Sequence, residues 1–534
     1  MRDSEKNRKQ ILLNCEKLET RYAQLTNGRL EEYVIERVSN GPVVGSVYLG
    51  KIVNLAPALE AAFVDIGLDK NAFLHYQDML SGADDLLEQM SDPVTARRIA
   101  GKSGVKASSL RKFITNLNGR KLRAEDIPEI FKPGMEILVE VIKTPIGSKG
   151  CRVSTNLSIA GRYLVLLPYS EHIGLSSKID NAAERQRLKN ILSELELPEG
   201  MGLICRTAGE GRKAAYFKSD LEMLLDNWHN IENAIESGVC PNEVYREPTL
   251  IERTVRDSMT DEIDEIIVDD TSAYKKITGA LKKFGGRKMA AKSVLYKQNT
   301  GIFEHYNVTR ELEQVYQRHV PLPSGGWICV DETEALIAID VNTGKSRRSS
   351  DQNELVLATN LEAAEEIARQ LRLRNVGGLV VIDFIDMRQT RDRDEVYRTM
   401  KKLVKDDRAK TRVMPISKLG LMEMTRQREH ESIQDTVFNP CPYCRGTGVI
   451  KSPLSMSVEI QRKLNGILRD RRYKGAPIRV IMHPEVLARL KNEDAKLLED
   501  MERESKHVLS FRADPLLHYE EFRFVDPDTG VELQ

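Results

Sequence analysis

The feature that most constrains this chain is the run Leu379-Val380-Val381-Ile382-Asp383-Phe384-Ile385, apolar at every position except one carboxylate. Such a run, opened by Gly377-Gly378, predicts a strand buried on both faces. Before it, Asn353 to Asn375 sets Leu357, Leu361, Ala364, Ala368 and Leu371 at three- and four-residue spacing. That spacing is a helix, and Gly377-Gly378 is placed to end it as a left-handed cap. Trp327 to Val330 and Ala335 to Val341 read as two more strands. The stretch from Arg318 to Thr436 is therefore expected to be a layered α/β domain around a central sheet.

Asp383 needs a partner in such a strand, because burying an unpaired charge is costly. Asp340 and Asn342 end the preceding strand with a spacing of two, which puts both side chains on one face. Two carboxylates from neighbouring strands repel unless a cation lies between them. A hard divalent ion such as Mg²⁺, held by oxygen and keeping most of its waters, answers that need. It would polarise a phosphodiester and activate a water, with Asn342 able to orient the phosphate. The alternative is that Asp340 caps a turn and Asp383 pairs with a nearby arginine. Asp386, three residues on, is expected to point elsewhere.

The rest of the chain is modular. Thr20 to Leu25 and Leu30 to Ile35 flank Asn27-Gly28, a two-residue hairpin signal. Val47 to Leu55, Ala61 to Ile66, Glu136 to Ile142 and Gly147 to Ser154 read as strands of a small barrel of the oligonucleotide-binding kind. It is interrupted by a polar stretch in which Arg97 to Arg123 carries nine basic residues and no acidic one. That run is either a solvated face or an RNA-phosphate contact. Phe63 and Phe73, among Lys51, Asp65, Asn71 and His75, either stack on unpaired bases or belong to the barrel core. Asn156 to Leu250 alternates helix and strand. There Arg206-Thr207, ahead of Gly209 and Gly211, could grip a phosphate monoester, or Arg206 is an ordinary surface arginine. Past residue 437, helices at Ser457 to Asp470 and Pro484 to Lys506 and strands at Ile478 to Met482 and Tyr519 to Phe524 make a small α+β module.

Between them lies Cys441-Pro442-Tyr443-Cys444-Arg445-Gly446-Thr447-Gly448, the spacing of a zinc knuckle. The other five of the seven cysteines are scattered singly, so the chain offers half a site. Either a histidine such as His430 completes it or a second chain donates two sulfurs. The second option, which makes zinc a subunit link, is favoured. A redox dithiol ranks lower, since no strand leads into the pair and no helix begins at it.

Composition closes off other classes. Lys plus Arg and Asp plus Glu are 80 each, which excludes a uniformly basic nucleic-acid coat. No apolar run approaches a membrane span. The charged first ten residues, followed only by Ile11-Leu12-Leu13, do not make a signal-peptide core. The expectation is a multidomain, soluble, cytoplasmic protein.

Three of these segments, Ala335 to Gly344, Thr359 to Arg374 and Gly377 to Met387, resemble motifs of the RNase E/G family of bacterial endoribonucleases. Leu59 to Asp65 is similar to its S1 domain, Leu197 to Leu203 with Arg206-Thr207 to its 5′-sensor, and the knuckle at Cys441 to its zinc link. The resemblance implies a multidomain α/β and α+β fold. Residues 1–41 and 252–315 would form an RNase H-like part and 42–155 an S1 (OB-like) barrel with a basic insertion at about 80–130. Residues 156–251 would be the 5′-sensor, 316–437 a DNase I-like catalytic part, 438–451 the zinc link and 452–534 a small C-terminal domain. It implies Mg²⁺-dependent, single-strand-specific cleavage of RNA in processing and decay, leaving 5′-phosphate and 3′-hydroxyl ends and stimulated by a 5′-monophosphate.

By the same resemblance Asp340 and Asp383 match the Mg²⁺ ligands and Asn342 the phosphate-positioning residue. Arg206, Thr207, Gly161 and Val165 match the 5′-phosphate pocket, and Phe63, Phe73 and Lys149 match RNA contacts of the S1 domain. Cys441 and Cys444 match ligands of a Zn²⁺ shared between subunits of a homodimer, or of a homotetramer. Lys418 stands where ribonuclease E proteins often carry a catalytic-site arginine, and it keeps the charge without the two-pronged geometry. The expectation is a chain without the Arg/Pro-rich scaffold tail on which degradation partners assemble. The competing reading is a non-catalytic RNA-binding regulator using the barrel and the basic insertion.

Overall fold

The computed structural model describes residues 7–37, 44–79, 123–144, 150–333, 335–344, 352–405, 407–427, 432–473 and 475–533. All of the basic run except Arg123 lies outside the described residues, as do Lys149 and His430. The fold is mixed α/β, in two compact units, Met1–Thr436 and Val437–Gln534. No helix among the described residues is long and apolar enough to cross a membrane.

The first unit opens with the expected hairpin. Strands Glu19–Thr26 and Arg29–Arg37 are joined through Asn27 and Gly28 at φ 52° and 80°, the mirror-image turn that matches strand twist. A five-stranded sheet adds Lys9–Cys15 beside the hairpin and then, in parallel, Glu265–Val268 and Ser293–Leu295 from much later in the chain. Val47–Ala56, Ala61–Asp65, Ala72–His75, Arg152–Ser154 and Glu136–Lys143 form a five-stranded barrel, closed by pairing of the last strand with the first. Asn242–Tyr245 adds to its edge. A smaller four-stranded sheet runs in the order Ile173–Leu175, Gly202–Cys205, Leu164–Leu167, Ile159–Ala160. Helix Ala214–Glu236 covers it with Phe217, Leu221, Leu224, Trp228 and Ile231.

The central sheet orders its strands His319–Pro321, Trp327–Glu332, Leu336–Asn342, Gly378–Asp383, Leu421–Arg426, Thr411–Val413. Only Leu336–Asn342 and Gly378–Asp383 run parallel, and the Gln352–Leu373 helix makes the crossover between them. That helix lays Ala363, Ala364, Ile367, Ala368 and Leu371 on Ile337, Ile339, Val341, Val380 and Ile382. Full burial of each large aliphatic side chain here contributes about 1.5–3 kcal/mol.

Two expectations fail at this point. The helix is capped by Asn375 at φ 48° rather than by the glycine pair; Gly378, at φ 107°, opens the strand instead. An asparagine side chain tolerates the left-handed region, so no glycine is required. The strand is also not buried on both faces. Val380 and Ile382 are fully buried, while Leu379 is 42% exposed and Asp383 is exposed. One layer of helix covers one face, and the apolar residues of the other face line an open surface.

The second unit packs helices Pro453–Arg469, Pro484–Asn492 and Ala495–Ser505 with a three-stranded sheet. The single helix expected over Pro484 to Lys506 is broken at Glu493-Asp494, where buried Asp494 accepts a hydrogen bond from Ser457. Strand Leu509–Ala513, unforeseen, pairs in parallel with Ile478–Met482.

Candidate functional site

The open face of the central sheet follows from strand alternation. In Leu336–Asn342 the residues Ile337, Ile339 and Val341 enter the core, which leaves Asp340 and Asn342 together on the other side. Asp340 and Asp383 are direct register partners on adjacent parallel strands, a separation of about 4.8 Å between backbones. Asn342 Nδ2 donates to Asp340 Oδ2 at 2.8 Å. Among the described residues none of Asp340, Asp383 and Asp386 has an ion-pair partner, so the arginine partner weighed for Asp383 is absent there. Partial burial, then the negative charges of Asp340 and Asp386, push the Asp383 carboxyl above its usual range. Asp386, expected to point away, therefore contributes to this field from just beyond the strand end.

Lys418 is exposed in the turn Ser417-Lys418-Leu419-Gly420, closed by Gly420 N–H to Ser417 O at 3.1 Å. The next residue, Leu421, is the register partner of Asp383, so the turn borders the acidic pair. Gly420, at φ 85°, would bring a Cβ to 3.3 Å from Asp386 Oδ1.

Behind the site, Asn360 is fully buried in the crossover helix. Its Nδ2 donates to Ile385 O at 2.9 Å and its Oδ1 accepts from Ile385 N–H at 3.1 Å. This two-way clamp fixes the segment between Asp383 and Asp386. Residue spacing alone did not single it out; the available signal was an amide on an otherwise apolar helical face.

A second cluster gathers Gly161, Val165, Arg206 and Thr207. Leu164–Leu167 pairs with Gly202–Cys205, and Gly161 N–H bonds to Leu164 O at 2.8 Å. Buried Asp220 accepts from the N–H groups of Arg162, Tyr163 and Leu164 at 2.7–3.1 Å, and a Cβ at Gly161 would sit 2.6 Å from its Oδ2. Arg206 is no ordinary surface arginine. Its Nη1 donates to Gly161 O and to Asp257 Oδ1, both at 2.6 Å. Against the burial that would raise it, Arg256 and Arg206 hold the Asp257 carboxyl below its usual range. Asp257, from a distant part of the sequence, had no motif to mark it.

On the barrel, Phe63 and Phe73 are register partners in edge-to-face contact, ring centroids 6.1 Å apart, with His75 next to Phe73. Both rings are half-buried rather than core.

In the second unit Cys441 to Gly448 runs through a series of tight turns. Arg445, Gly446 and Gly448 adopt φ of 51°, 88° and 71°. Hydrogen bonds from the backbone N–H of Gly448 and then Gly446, with a further one from Cys441, draw the Cys444 thiol below its ordinary range. The histidine beside it is His518, whose Nε2 lies 2.5 Å from Tyr443 O. Among the described residues, no group of three or more His, Cys, Asp or Glu side chains is arranged to hold a metal ion, here or at the acidic pair.

Comparison with known proteins is consistent with both units. Residues 158–429 match the model of the Ribonuclease E/G family, and residues 440–526 match "RNase E/G, Thioredoxin-like domain". Ribonuclease G of Escherichia coli (strain K12) is 34% identical over 519 residues, covering 97% of this chain and 99% of that protein. Ribonuclease E of Haemophilus influenzae is 35% identical over 533 residues, 98% of this chain but 53% of that protein. Ribonuclease E of Escherichia coli (strain K12) is 36% identical over 455 residues, 85% of this chain and 40% of that protein.

Proposed function

Because the chain belongs to the ribonuclease E/G family, a family of endoribonucleases, we propose that it cuts single-stranded RNA on the open face bearing Asp340, Asn342 and Asp383. The products are 5′-phosphate and 3′-hydroxyl ends. The observation that carries this reading is the register pairing of Asp340 with Asp383, two carboxylates without a cation partner among the described residues.

That donor set fits Mg²⁺, which is commonly bound through one or two carboxylates and keeps several waters, and which does not need three protein ligands. When bound, the ion supplies Lewis-acid polarisation of the phosphodiester and activation of water. The chain's own groups do the rest. Asp340 and Asp383 hold the charge. Asn342, pinned to Asp340, turns its remaining amide hydrogen toward a phosphate oxygen, and Lys418 brings a positive charge to the same edge. The half-buried rings of Phe63 and Phe73, with Lys149, stack on and hold the RNA. Arg206 keeps part of its guanidinium free of Gly161 and Asp257, and with Thr207 it receives a 5′-monophosphate between Gly161 and Val165.

Residues 1–41 with 252–315 are read as the RNase H-like part, 42–155 as the S1 domain, 156–251 as the sensor and 316–437 as the DNase I-like part. Cys441 and Cys444 fit half of a Zn²⁺ site, with two sulfurs of a second copy completing it. Residues 438–451 would thus link a homodimer. A purely RNA-binding role leaves the paired carboxylates unexplained.

The test is Asp383→Ala against a short RNA carrying a 5′-monophosphate, triphosphate or hydroxyl, with and without Mg²⁺. Cleavage should be lost with binding nearly intact, and the wild type should prefer the monophosphate. Unchanged turnover in Asp383→Ala removes the site from the mechanism.

A further inference from the structure

We propose that Trp327 is a nucleobase-stacking subsite beside the scissile phosphate, a reading that rests on Asp340, Asn342 and Asp383 being the cleavage site. The chain has two tryptophans. Trp228 is a core residue, 5% exposed and edge-to-face with Tyr169. Trp327, at the start of a strand of the central sheet, is 37% exposed.

Alternation decides which face it is on. Ile328 and Val330 enter the core, so Trp327 stands with Cys329 on the open side. The ladder decides its neighbours. Trp327 is the direct antiparallel partner of Asn342, and Cys329 that of Asp340. Direct partners share a face, with Cβ atoms about 4.5–5.5 Å apart. The indole therefore lies beside the amide that is bonded to Asp340. On its far side stands exposed Pro321. Among the described residues no ring or cation stacks on it.

The position is also held firmly. The turn before Trp327 and the turn after Asn342 press backbone on backbone. A Cβ at Gly326 would lie 2.4 Å from Asn342 O, and one at Gly344 2.3 Å from Gly325 O.

The chemistry favours a base as the occupant. Asp340, Asp383 and Asp386 repel the RNA backbone, so affinity next to them cannot come from more phosphate contacts on the same face. Stacking is insensitive to that charge, tolerates any base and requires an unpaired strand. A base one ribose away from the phosphate that faces Asn342 meets an indole edge already in place.

The experiment uses the full chain and a short single-stranded RNA with one mapped cleavage site. Versions of the RNA are made abasic on either side of the cut bond. Without divalent ion, RNA should quench indole emission in the wild type and in Asp383→Ala, less so with one of the two abasic RNAs. Trp327→Phe should abolish the quenching and recover most of the affinity that Trp327→Ala loses. Trp327→Ala should raise KM roughly 5- to 150-fold, the range for one lost stack, with kcat little changed, and the sensitive abasic position should then cost nothing further. Emission indifferent to RNA, or Trp327→Ala cleaving with wild-type KM, overturns the subsite. Quenching in a protein that cleaves no RNA with Mg²⁺ would instead refute the nuclease reading while leaving the stack in place.

Discussion

Replacing Asn360 by leucine tests whether the back of the sheet sets the geometry of its front. The substitution nearly keeps the volume but removes both bonds to Ile385, leaving an N–H and a C=O without partners beside a fully buried side chain. At about 1–3 kcal/mol for each unpaired group, the present course of this segment loses roughly 2–6 kcal/mol of support. Asp383 itself stays in the ladder, between Asp340 and Leu421. The strain is relieved from Phe384 onward: Asp386, whose charge bears on Asp383, moves, and the Asp383 carboxylate turns with the chain that follows it. A displacement near 1 Å at a reacting centre costs on the order of 100-fold in rate. The expected result is kcat lower by about 10- to 100-fold, with RNA affinity, measured without divalent ion, nearly unchanged. Thermal unfolding of the same preparation separates the two effects. Asn360→Leu that melts earlier but turns over at the wild-type rate refutes the positioning role.

Two further predictions concern other parts of the chain. Burial pushes the Glu140 carboxyl up to about 7, from an ordinary 4.5, although Ser158 N–H bonds to it at 2.6 Å. The folded state then binds more protons than the unfolded chain between those values. Stability should fall as pH rises through this window and be flat on either side. Glu140→Gln should therefore unfold at higher urea than the wild type at pH 8 and show no such gain at pH 4; equal midpoints at pH 8 would refute it. Cys444→Ser should release zinc, read by metal analysis, and lower the assembled mass by light scattering. A variant with full metal and full mass would show that the knuckle does not link subunits.

How far the sequence reveals this architecture depends on the range of the interactions involved. Asn27-Gly28 and the strands on either side are local, and they form as read. The spacing of Asp340 and Asn342 is a property of one strand, so their shared face was legible. The partnership of Asp340 with Asp383 needed only the expectation that a helix returns the chain to a parallel neighbour. What failed depended on the surroundings. An apolar run does not say whether a second layer covers it, so Leu379 and Val381 suggested burial on both faces. Asn375 took the cap that a glycine pair seemed to claim. Asp257 acquires its role only when the segment after Leu250 folds back on Arg206, and no local pattern marks that.

The Gln352–Leu373 helix explains why the uncovered face can stay open. Its apolar stripe seats the central sheet and Asn360 holds the segment after Asp383. Its opposite side is buried as well, although periodicity would assign those charged residues to solvent. Glu366 and Arg369 are 4% and 7% exposed. Arg369 pairs with Glu366 at 2.9 Å and with Glu311, and donates to Leu30 O at 2.6 Å. Arg29 reaches Glu366 at 2.5 Å, and Arg372 reaches Glu31 at 2.6 Å. Such a network adds little net stability against an apolar equivalent, yet removing one member costs about 3–5 kcal/mol. Its value is directional: the charges fit only one docking of the hairpin on the helix. With the helix fixed from both sides, the sheet needs no second covering layer. The carboxylates, Asn342 and Trp327 can then stay exposed without the core depending on what binds there.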